Sequence, residues 1–532
     1  MKPKVFVLIA TSQNRTKWLI ERSLVSVYKQ EKVDKKNVEV LVVDDNKDEQ
    51  EFHKIREGIK WLRRELRLAP DDFYTEVLRN ARIRFRSGSG AWNTGIYQAY
   101  ERHPDSFISI LDDDDEYLPT HLWACISRAK ESTNAVFQRL LWVNDDGSIW
   151  YYPLTKEQLT AEEFYIGNPG VQASNMFFKT EALVRIGGFD EELPATTDRD
   201  LMIRFLTTYR PETIEVVESY GVKHYNHNQS KVTKDTDNKY RSLLYFYQKY
   251  KMKFSRQAFE RSLDRAHRLF GYHPKEQILI CMLVQNAEKT IEKSIQSFIK
   301  QKNVRRELVL LIGNDGSTDG TEHIIRDITK LHDNIFLIDV PPGSIAQKRN
   351  FLNKYARESF PHCVLIGRLD ADDMIYSEDT LAYIEGIFEK ERFDILLAGN
   401  KQIKNGKVLS WINRATPKLL EERYLLRRLR GMAQGKPRAE LPSCNTFITP
   451  WVDLEYPDKN SAEDHWFTVL LILQKHRYKI HVAEELIYCY YSLSGNLTEI
   501  NKSNQHYINS RQELYHFFLN SLCHGPKMQQ HF

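Results

Sequence analysis

The chain has 532 residues, too many for one hydrophobic core, and this length predicts at least two domains. Hydrophobic residues make up 41% of it and aromatic residues 12%, a composition that favours folded domains over a disordered chain. The 76 Lys and Arg residues nearly balance the 72 Asp and Glu residues, and a net charge of +4 gives no indication of a nucleic-acid partner.

Cysteine and apolar patterning indicate the compartment. The six cysteines are scattered without a CxxC pair, which is typical of thiols in a reducing compartment and predicts neither a disulfide framework nor a zinc site. The apolar run from Val5 to Ala10 is shorter than a signal-peptide core, and no stretch approaches the ~18 apolar residues of a membrane span. The sequence therefore predicts a cytoplasmic protein, either free or peripheral at the membrane.

The N-terminal part of the chain alternates predicted strands and helices. VFVLIA, from Val5, and VEVLVVDDN, from Val38, are predicted strands that flank a helix with apolar residues on one face. Three polar landmarks follow in chain order: SGAWNTGIYQA from Ser89, SILDDDDEYLP from Ser109 and TTDRDLMIRF from Thr196. The last of these predicts a helix that begins with acidic residues.

The C-terminal part repeats the same order of elements. ILICMLVQN, from Ile278, and ELVLLIGNDGSTDG, from Glu307, are predicted strands on either side of a second amphipathic helix. The polar landmarks are SIAQKRN from Ser344, IGRLDADDMIY from Ile366 and SAEDHWFTVLL from Ser461. Each has a counterpart in the N-terminal part.

Corresponding residues of the two parts are separated by a nearly constant number of residues: 270 between Asp45 and Asp315, 258 between Asp114 and Asp372, and 266 between Asp198 and Asp464. Several ordered landmarks at one offset predict a duplicated domain. The predicted fold class is α/β, with two mostly parallel sheets in tandem. We expect domains at 1–235 and 275–500, a helical connector at 236–274, and a C-terminal helical tail at 501–532.

Each copy carries a cluster of carboxylates directly after a predicted strand. Asp112 to Asp115 follow the apolar run Phe107 to Leu111, and Asp370, Asp372 and Asp373 repeat the cluster. Open α/β sheets bind ligands at the carboxyl ends of their strands. Crowded carboxylates repel one another unless a cation neutralises them, and Mg²⁺ or Mn²⁺ suits carboxylates together with substrate phosphates. The alternative is an acidic surface turn, which a matched second copy disfavours.

The motifs VLVVDDN and LIGNDGSTDGT, followed by LDDDD and LDADD and then AEDHW, resemble the inverting family 2 glycosyltransferases of GT-A fold. The resemblance covers nearly the whole chain, twice. It implies a nucleotide-sugar donor, with a UDP-sugar favoured, and a divalent metal, Mn²⁺ or Mg²⁺. It also implies a glycan or glycoconjugate acceptor, without a nucleic-acid partner, and it leaves a homo-oligomer open.

The resemblance implies roles for individual residues. The general bases are Asp198 and Asp464. The donor-binding residues are Asp44, Asp45, Asn93, Asp112, Asp113, Asp315, Lys348, Asn350 and Asp370. The metal ligands are Asp112, Asp114, Asp370, Asp372 and His227, for which His224 is the competitor. For the two bases the structural alternative is a helix cap, although the helix dipole also suits an ionised base there.

The two copies depart from the family pattern in different ways. The first has Thr197 where Glu usually precedes the base, whereas the second keeps Glu463. The second has no histidine in YYSLSGNLT, the counterpart of HYNHNQS, so its metal shell differs. The prediction is a bifunctional enzyme, and the alternative is one catalytic domain with a degenerate copy for binding or assembly. A nucleotidyltransferase is disfavoured because no glycine-rich loop follows either first strand.

Overall fold

The computed structural model describes residues 3–12, 15–82, 88–226, 236–404, 407–442, 446–459, 461–492 and 505–524. The chain divides into two compact units, Met1–His273 and Pro274–Phe532, which are called the first and the second unit below. Each contains a nine-stranded mixed sheet with helices packed against it. The predicted α/β class with two similar domains in tandem is thereby confirmed.

The sheet of the first unit has a parallel half and a mixed half. Its strands are β1 (Val5–Thr11), β2 (Val38–Asp44), β3 (Tyr74–Arg79), β4 (Phe107–Asp112), β5 (Glu116–Tyr117), β6 (Ala135–Asn144), β7 (Ile149–Tyr152), β8 (Met176–Lys179) and β9 (Ile214–Asn226). The order is β3-β2-β1-β4-β8-β6-β9-β5, with β7 paired to β6. Strands β1 to β4 are parallel, and β8 is antiparallel to both β4 and β6. Burial on both faces explains the uninterrupted apolar sequence of β1.

The helices of the first unit follow the strands in alternation. They are α1 (Thr16–Trp18), α2 (Val25–Tyr28), α3 (Glu49–Glu65), α4 (Ser89–Arg102), α5 (His121–Arg128), α6 (Ala161–Ile166), α7 (Thr180–Arg185), α8 (Thr197–Thr208), α9 (Thr236–Tyr250) and α10 (Arg256–Phe270). A π-helical segment, Leu19–Leu24, joins α1 to α2. Helix α10 starts where the Ser255 side chain accepts from the Ala258 N–H and ends at Gly271, with φ of 62°, as its sequence predicts.

The second unit repeats this sheet strand for strand. Its strands are β10 (Gln277–Val284), β11 (Glu307–Asn314), β12 (Ile335–Asp339), β13 (Cys363–Arg368), β14 (Met374–Ile375), β15 (Ile395–Lys404), β16 (Lys407–Asn413), β17 (Thr446–Ile448) and β18 (Ile480–Ser492), in the order β12-β11-β10-β13-β17-β15-β18-β14 with β16 paired to β15. Its helices are α11 (Ile291–Ile299), α12 (Thr321–Thr329), α13 (Ile345–Ser359), α14 (Thr380–Glu391), α15 (Glu422–Ala433), α16 (Glu463–Leu473) and α17 (His506–His524). The duplication therefore includes the topology of both sheet halves.

The helices expected to form a connector and a tail are matching parts of the two units. In the first unit, the Ser242 hydroxyl of α9 donates to the Ala195 carbonyl, just before α8. In the second, the Ser510 hydroxyl of α17 donates to the Ser461 carbonyl, just before α16. Segment 236–273 thus belongs to the first unit, and helix α17 of the expected tail is the counterpart of α9.

Apolar packing fixes α9 and α10 in the first unit. Phe246, Tyr247 and Tyr250 of α9 are buried, as is Phe259 of α10. The Ser262 hydroxyl donates to the Tyr165 carbonyl at 2.8 Å. Within the described residues, no helix has both the length and the apolar character needed to cross a membrane.

We predict that fragment 1–273 unfolds cooperatively, whereas fragment 1–235 does not reach a stable fold. Truncation at 235 removes four aromatic side chains that are buried in the whole unit and uncovers the residues they pack against, such as Tyr165. Each buried aromatic contributes roughly 1.5–3 kcal/mol, and their sum rivals the ~5–15 kcal/mol that stabilises a typical domain. Thermal unfolding followed by circular dichroism, with limited proteolysis, measures the difference. Equal melting temperatures for the two fragments would show that the two helices are a detachable connector.

Candidate active sites

The first unit gathers predicted site residues at one edge of its sheet. Strands β1, β2 and β4 are parallel neighbours, so their carboxyl ends share that edge. Strand β2 ends at Asp44 and β4 ends at Asp112. Strand β9 brings His224 to Asp115, directly beyond β4. This is the edge at which α/β sheets bind ligands.

Asp112, Asp115 and His224 form a group suited to a metal ion. Their ligand atoms all lie within 4.8 Å of one another. His224 Nδ1 is 2.8 Å from Asp115 Oδ2, and the Tyr225 N–H donates to Asp115 Oδ1 at 3.0 Å. Burial alone would raise the pKa of Asp115, but His224 and these hydrogen bonds hold it below its usual range. Asp115 is therefore a positioned, ionised carboxylate.

Asp112 carries the uncompensated charge of this group. Burial raises its pKa well above the usual range, and the carboxylates of Asp115, Asp114 and Asp198 raise it further. The Asp112 N–H donates to the Ser174 hydroxyl at 3.0 Å, which fixes the end of β4. A cation bound here would relieve the repulsion among these carboxylates.

Asp113 and Asp114 are bound by Arg15 instead. Its Nη1 lies 2.9 Å from Asp113 Oδ1 and its Nη2 lies 3.0 Å from Asp114 Oδ2. Burial raises the pKa of Asp113 to about 7, although Arg15 opposes the rise. The expected ligand Asp114 is thus engaged with an arginine, and its metal role stays a prediction. The expected ligand His227 lies outside the described residues.

Asp198, the expected base, lies in the first turn of α8. Its Oδ1 is buried and has no hydrogen-bond partner among the described residues, so the oxygen makes no helix cap. Burial raises the pKa of Asp198 to about 7, while the charges of His224 and Lys239 oppose the rise. Lys239 belongs to α9, and its Nζ lies 3.3 Å from Thr196 Oγ1.

The two helices that carry the predicted bases, α8 and α16, each follow a residue with left-handed backbone conformation. Thr196, before α8, has φ of 67°, and Ala462, before α16, has φ of 60°. Left-handed backbone is unfavourable for residues other than glycine, and more so for a β-branched one. The Ser242 and Ser510 hydrogen bonds described above lie next to these positions. Both units thus hold strained backbone where a predicted base begins its helix.

The nucleoside-binding candidates at the ends of β2 and β11 have different partners. Asp44 is fully buried and accepts from Arg79 Nη1 at 2.7 Å. Asp45 accepts from Asn80 Nδ2 at 2.6 Å. Its counterpart Asp315 lies 2.6 Å from Lys348 Nζ. No observation tests their contact with a donor, which stays a prediction.

Asn93 and Asn350 perform the same structural task in the two units. The Asn93 side chain donates to the Phe189 carbonyl at 2.9 Å and accepts from the Phe189 N–H at 2.8 Å. Asn350 makes the equivalent pair with Tyr456, at 2.8 and 2.7 Å. Both amides therefore tie a helix to the loop ahead of the base helix, and their donor-binding role stays a prediction.

An arginine occupies the acidic site of the second unit. Arg368 Nε donates to Asp370 Oδ1 at 2.7 Å, and its Nη2 is hydrogen-bonded to Asp370 Oδ2. Its Nη1 lies 4.0 Å from Asp464 Oδ2. Burial alone would raise the pKa of Asp370, but Arg368 and Arg349 hold it below the usual range. Asp370, an expected metal ligand, is thus neutralised by side chains, unlike Asp112.

The other two aspartates of the second cluster, Asp372 and Asp373, have a tyrosine nearby at the position where the first unit has His224. Burial, and then Asp370, raise the pKa of Asp372 to about 6. Asp373 accepts from the Tyr491 N–H at 2.9 Å, as Asp115 does from Tyr225. This match places Tyr490 where the first unit has His224.

Asp464 and Glu463 begin α16 beside the arginines. Asp464 Oδ1 accepts from the His465 N–H at 2.8 Å, a local contact that fits a helix-capping role. Glu463, whose counterpart is Thr197, forms an ion pair with Arg349. Both acids are therefore engaged within the second unit.

Sequence reasoning missed the cations Arg15, Lys239 and Arg368. Arg15 and Lys239 reach their partners across long stretches of chain, and no local pattern indicates such pairs. For Arg368 a signal existed, because residues two apart on a strand point to the same face. GRLD places Arg368 and Asp370 at that spacing.

The fold and the two acidic sites agree with the resemblance seen in the motifs. The sequence profile of the family described as Glycosyl transferase family 2 matches residues 7–187 and 279–447, together more than half of the chain. The chain therefore belongs to the family 2 glycosyltransferases and contains two GT-A domains in tandem.

Individual relatives match shorter parts of the chain. The poly-β-1,6-N-acetyl-D-glucosamine synthase of Staphylococcus epidermidis is 30% identical over 131 residues, which cover 24% of this chain and 30% of the synthase. A crystal structure of S. aureus TarS residues 1–349 in complex with UDP-GlcNAc shares 19% identity at a TM-score of 0.34, covering 47% of this chain and 74% of that one. The mannosyltransferase PcManGT of Pyrobaculum calidifontis, in complex with GDP-Man and Mn²⁺, shares 17% identity at a TM-score of 0.32, covering 51% and 76%.

We predict that Asp198→Asn stabilises the metal-free protein increasingly as the pH rises from 4 to 7. The folded chain keeps the Asp198 proton up to about pH 7, whereas the unfolded chain loses it near pH 4, so ionisation costs stability in that window. The gain levels off above pH 7 at no more than ~4 kcal/mol, because one pKa unit corresponds to about 1.4 kcal/mol. Thermal unfolding in chelator at pH 5, 6, 7 and 8 measures it.

Asp190→Asn is the matched control with the opposite sign. Lys249 and the Glu192 N–H hold the pKa of Asp190 below its usual range, against the effect of burial. Its contribution is present above the unfolded pKa and is lost as the pH falls, so the variant is least stable relative to wild type at neutral pH. A pH-independent effect of Asp198→Asn would contradict the assignment of a raised pKa.

Proposed function

We propose that the first unit transfers a sugar, with inversion, from a nucleotide-sugar donor to a hydroxyl group of a glycan or glycoconjugate. One observation carries the proposal: the metal-suited group of Asp112, Asp115 and His224 lies close enough to Asp198 to influence its pKa, and a buried oxygen of Asp198 has no hydrogen-bond partner in the described part of the chain. The similarity to the synthase supports a glycan product. A UDP-sugar donor and cytoplasmic placement, free or at the membrane, are parts of the proposal.

The side chains of Asp112, Asp115 and His224 have the chemistry of ligands for a divalent cation. Two carboxylates and one imidazole suit Mn²⁺, and carboxylates with donor phosphates suit Mg²⁺. Asp112 would be the ligand that gains most, because its nearest charges are carboxylates. His224 and Asp115 already orient each other at 2.8 Å. Such an ion, when bound, neutralises the charge of the departing nucleoside diphosphate.

Asp198 then removes the proton from the acceptor hydroxyl as that oxygen attacks the sugar. A general base works best when its pKa is near the working pH, and burial raises the pKa of Asp198 to about 7. Lys239 and His224 keep the pKa from rising further. Helix α9 therefore contributes to the base through Lys239, in addition to the packing that it provides.

We extend the proposal to a separate transfer by the second unit, which makes the chain bifunctional. Asp464 stands at the position of Asp198, two residues after a left-handed Ala462. The alternative is a second unit that serves binding or assembly alone, and that outcome is open to direct test.

We predict that Asp198→Asn lowers the transfer rate of the first unit by roughly 10²–10⁴-fold, as loss of a positioned base does, while donor affinity changes little. Asp112→Asn is expected to remove the metal dependence together with the activity. Both are made in an Asp464→Asn background, so that the second unit contributes nothing. Nucleoside diphosphate release from a panel of nucleotide sugars, with Mn²⁺ or chelator, is the measurement.

Asp146→Asn is the control for the first unit, because this exposed acid lies on a turn and pairs with Ser148. It should leave the rate unchanged. Full turnover by the Asp198→Asn protein would contradict the base. Full turnover in chelator, with metal removal verified, would contradict the metal site.

We predict for the second unit that Asp464→Asn abolishes a transfer that Asp198→Asn leaves intact. With both donors and both acceptors supplied, a mixture of the two single variants recovers the wild-type product, because each keeps one working base. Product analysis by mass spectrometry distinguishes the two transfers. Wild-type rates for every transfer in the Asp464→Asn protein would establish the binding-module alternative.

A further inference from the structure

The second unit carries a positive charge where the first carries a hydrocarbon. Ile110 of β4 is paired with Leu8 of β1, and Arg368 of β13 is paired with Cys281 of β10. Each lies two residues before the first aspartate of its cluster, so Arg368 replaces Ile110. The Arg368 side chain is only 11% exposed.

A second replacement removes the nitrogen ligand. His224 of β9 is paired with Trp142 of β6, and Tyr490 of β18 is paired with Gln402 of β15. The backbone hydrogen bonds from the following tyrosines to the clusters give the same match. A phenol therefore stands in place of the imidazole, which removes a nitrogen ligand of the kind that transition-metal ions favour.

The side chains of the second acidic cluster do not suit a divalent metal ion as ligands. Both oxygens of Asp370 are engaged by the guanidinium of Arg368, and Arg349 Nη2 lies 3.7 Å from Asp370 Oδ1. A metal would have to displace a bidentate, charge-assisted pair in a buried place. The described residues contain one group of three histidine, cysteine or acidic side chains close enough for a metal, and it is the group in the first unit.

The guanidinium is also only partly satisfied. Arg368 Nη1 is buried and has no hydrogen-bond partner among the described residues. It lies 4.0 Å from Asp464 Oδ2, beside a small cavity that Arg349, Asp370 and Tyr456 also line. A buried donor without a partner is costly, and an anionic ligand would satisfy it.

We propose that the second unit is metal-independent and that Arg368 takes the place of the divalent cation on the diphosphate of the nucleotide-sugar donor. The inference rests on the proposed function, in which this unit binds such a donor. Arg368 would donate through Nη1 to a phosphate oxygen while Asp370 holds its other face. Lys348, which replaces Ala91 of the first unit, adds a second cation next to Asp315.

Every bond, electron pair and proton of the transfer is accounted for without a metal ion. The acceptor oxygen forms a bond to the anomeric carbon, and the bond from that carbon to the donor phosphate oxygen breaks. The electron pair of the broken bond stays on the nucleoside diphosphate, whose charge Arg368 stabilises, and the acceptor proton passes to Asp464. Fixed, preorganised guanidinium groups serve this purpose in phosphate chemistry.

Binding of inorganic pyrophosphate to the full chain in excess EDTA tests the proposal by calorimetry. We expect one metal-independent site per chain. Arg368→Gln should weaken it roughly 10–100-fold, the effect of losing one charge-assisted contact, whereas Arg368→Lys retains part of it. Asp112→Asn should not change it. Arg326→Gln, on the surface of α12, is the matched control. Absence of binding in EDTA, or equal binding by Arg368→Gln, would overturn the proposal.

A gain of metal binding provides the second arm, and it cannot arise from misfolding. Titration with Mn²⁺ alone, followed by electron paramagnetic resonance, should show one ion per wild-type chain, which Asp112→Asn removes. Arg368→Ile combined with Tyr490→His restores the residues of the first unit and should raise the count to two. Two ions in wild type, one of them lost in Asp370→Asn, would reject the metal-independent site. Failure to bind Mn²⁺ in the first unit would instead reject the proposed function there.

Discussion

Repulsion among carboxylates at the end of one parallel strand is the constraint on which both sites depend. Asp112 and Asp370 each lie part-buried beside further aspartates, an arrangement that costs several kcal/mol per uncompensated charge when water is excluded. In the first unit, the proposed cation would supply the compensation, with His224 as one of its ligands. The second unit builds the compensation from Arg368. The pKa of Asp112 is accordingly raised and that of Asp370 lowered, although the strands that carry them are equivalent.

A second requirement is a rigid start for the helix that carries the predicted base. Thr196 and Ala462 adopt left-handed backbone that their side chains disfavour, so the surrounding structure must hold them. In each unit a serine from a later helix, Ser242 of α9 or Ser510 of α17, hydrogen-bonds the carbonyl just before the strained residue. These two helices therefore support the start of the helix that carries the predicted base.

The fold was largely predictable and the charge pairs were not. Period-2 and period-3.6 apolar patterns and the constant offset predicted two α/β copies, because they report local geometry. The sequence predicted a connector at 236–274, and it gave no sign that the aromatics of this segment pack against residues of the first unit that are distant in the chain. Arg15 meets Asp113 across 98 residues, and no local rule indicates such a contact. The choice between His224 and His227 depends on the register of β9, which shifts near Arg139 of β6.

The two differences between the sites are coupled by their electrostatics. An arginine at the Ile110 position, with His224 and a metal ion retained, would place a fixed cation against a divalent one at the same aspartate. Loss of the histidine without the arginine would leave a buried aspartate with neither a full ligand set nor a counter-charge. We therefore expect either single change to cost more stability than both together, so that Arg368 and Tyr490 depend on each other.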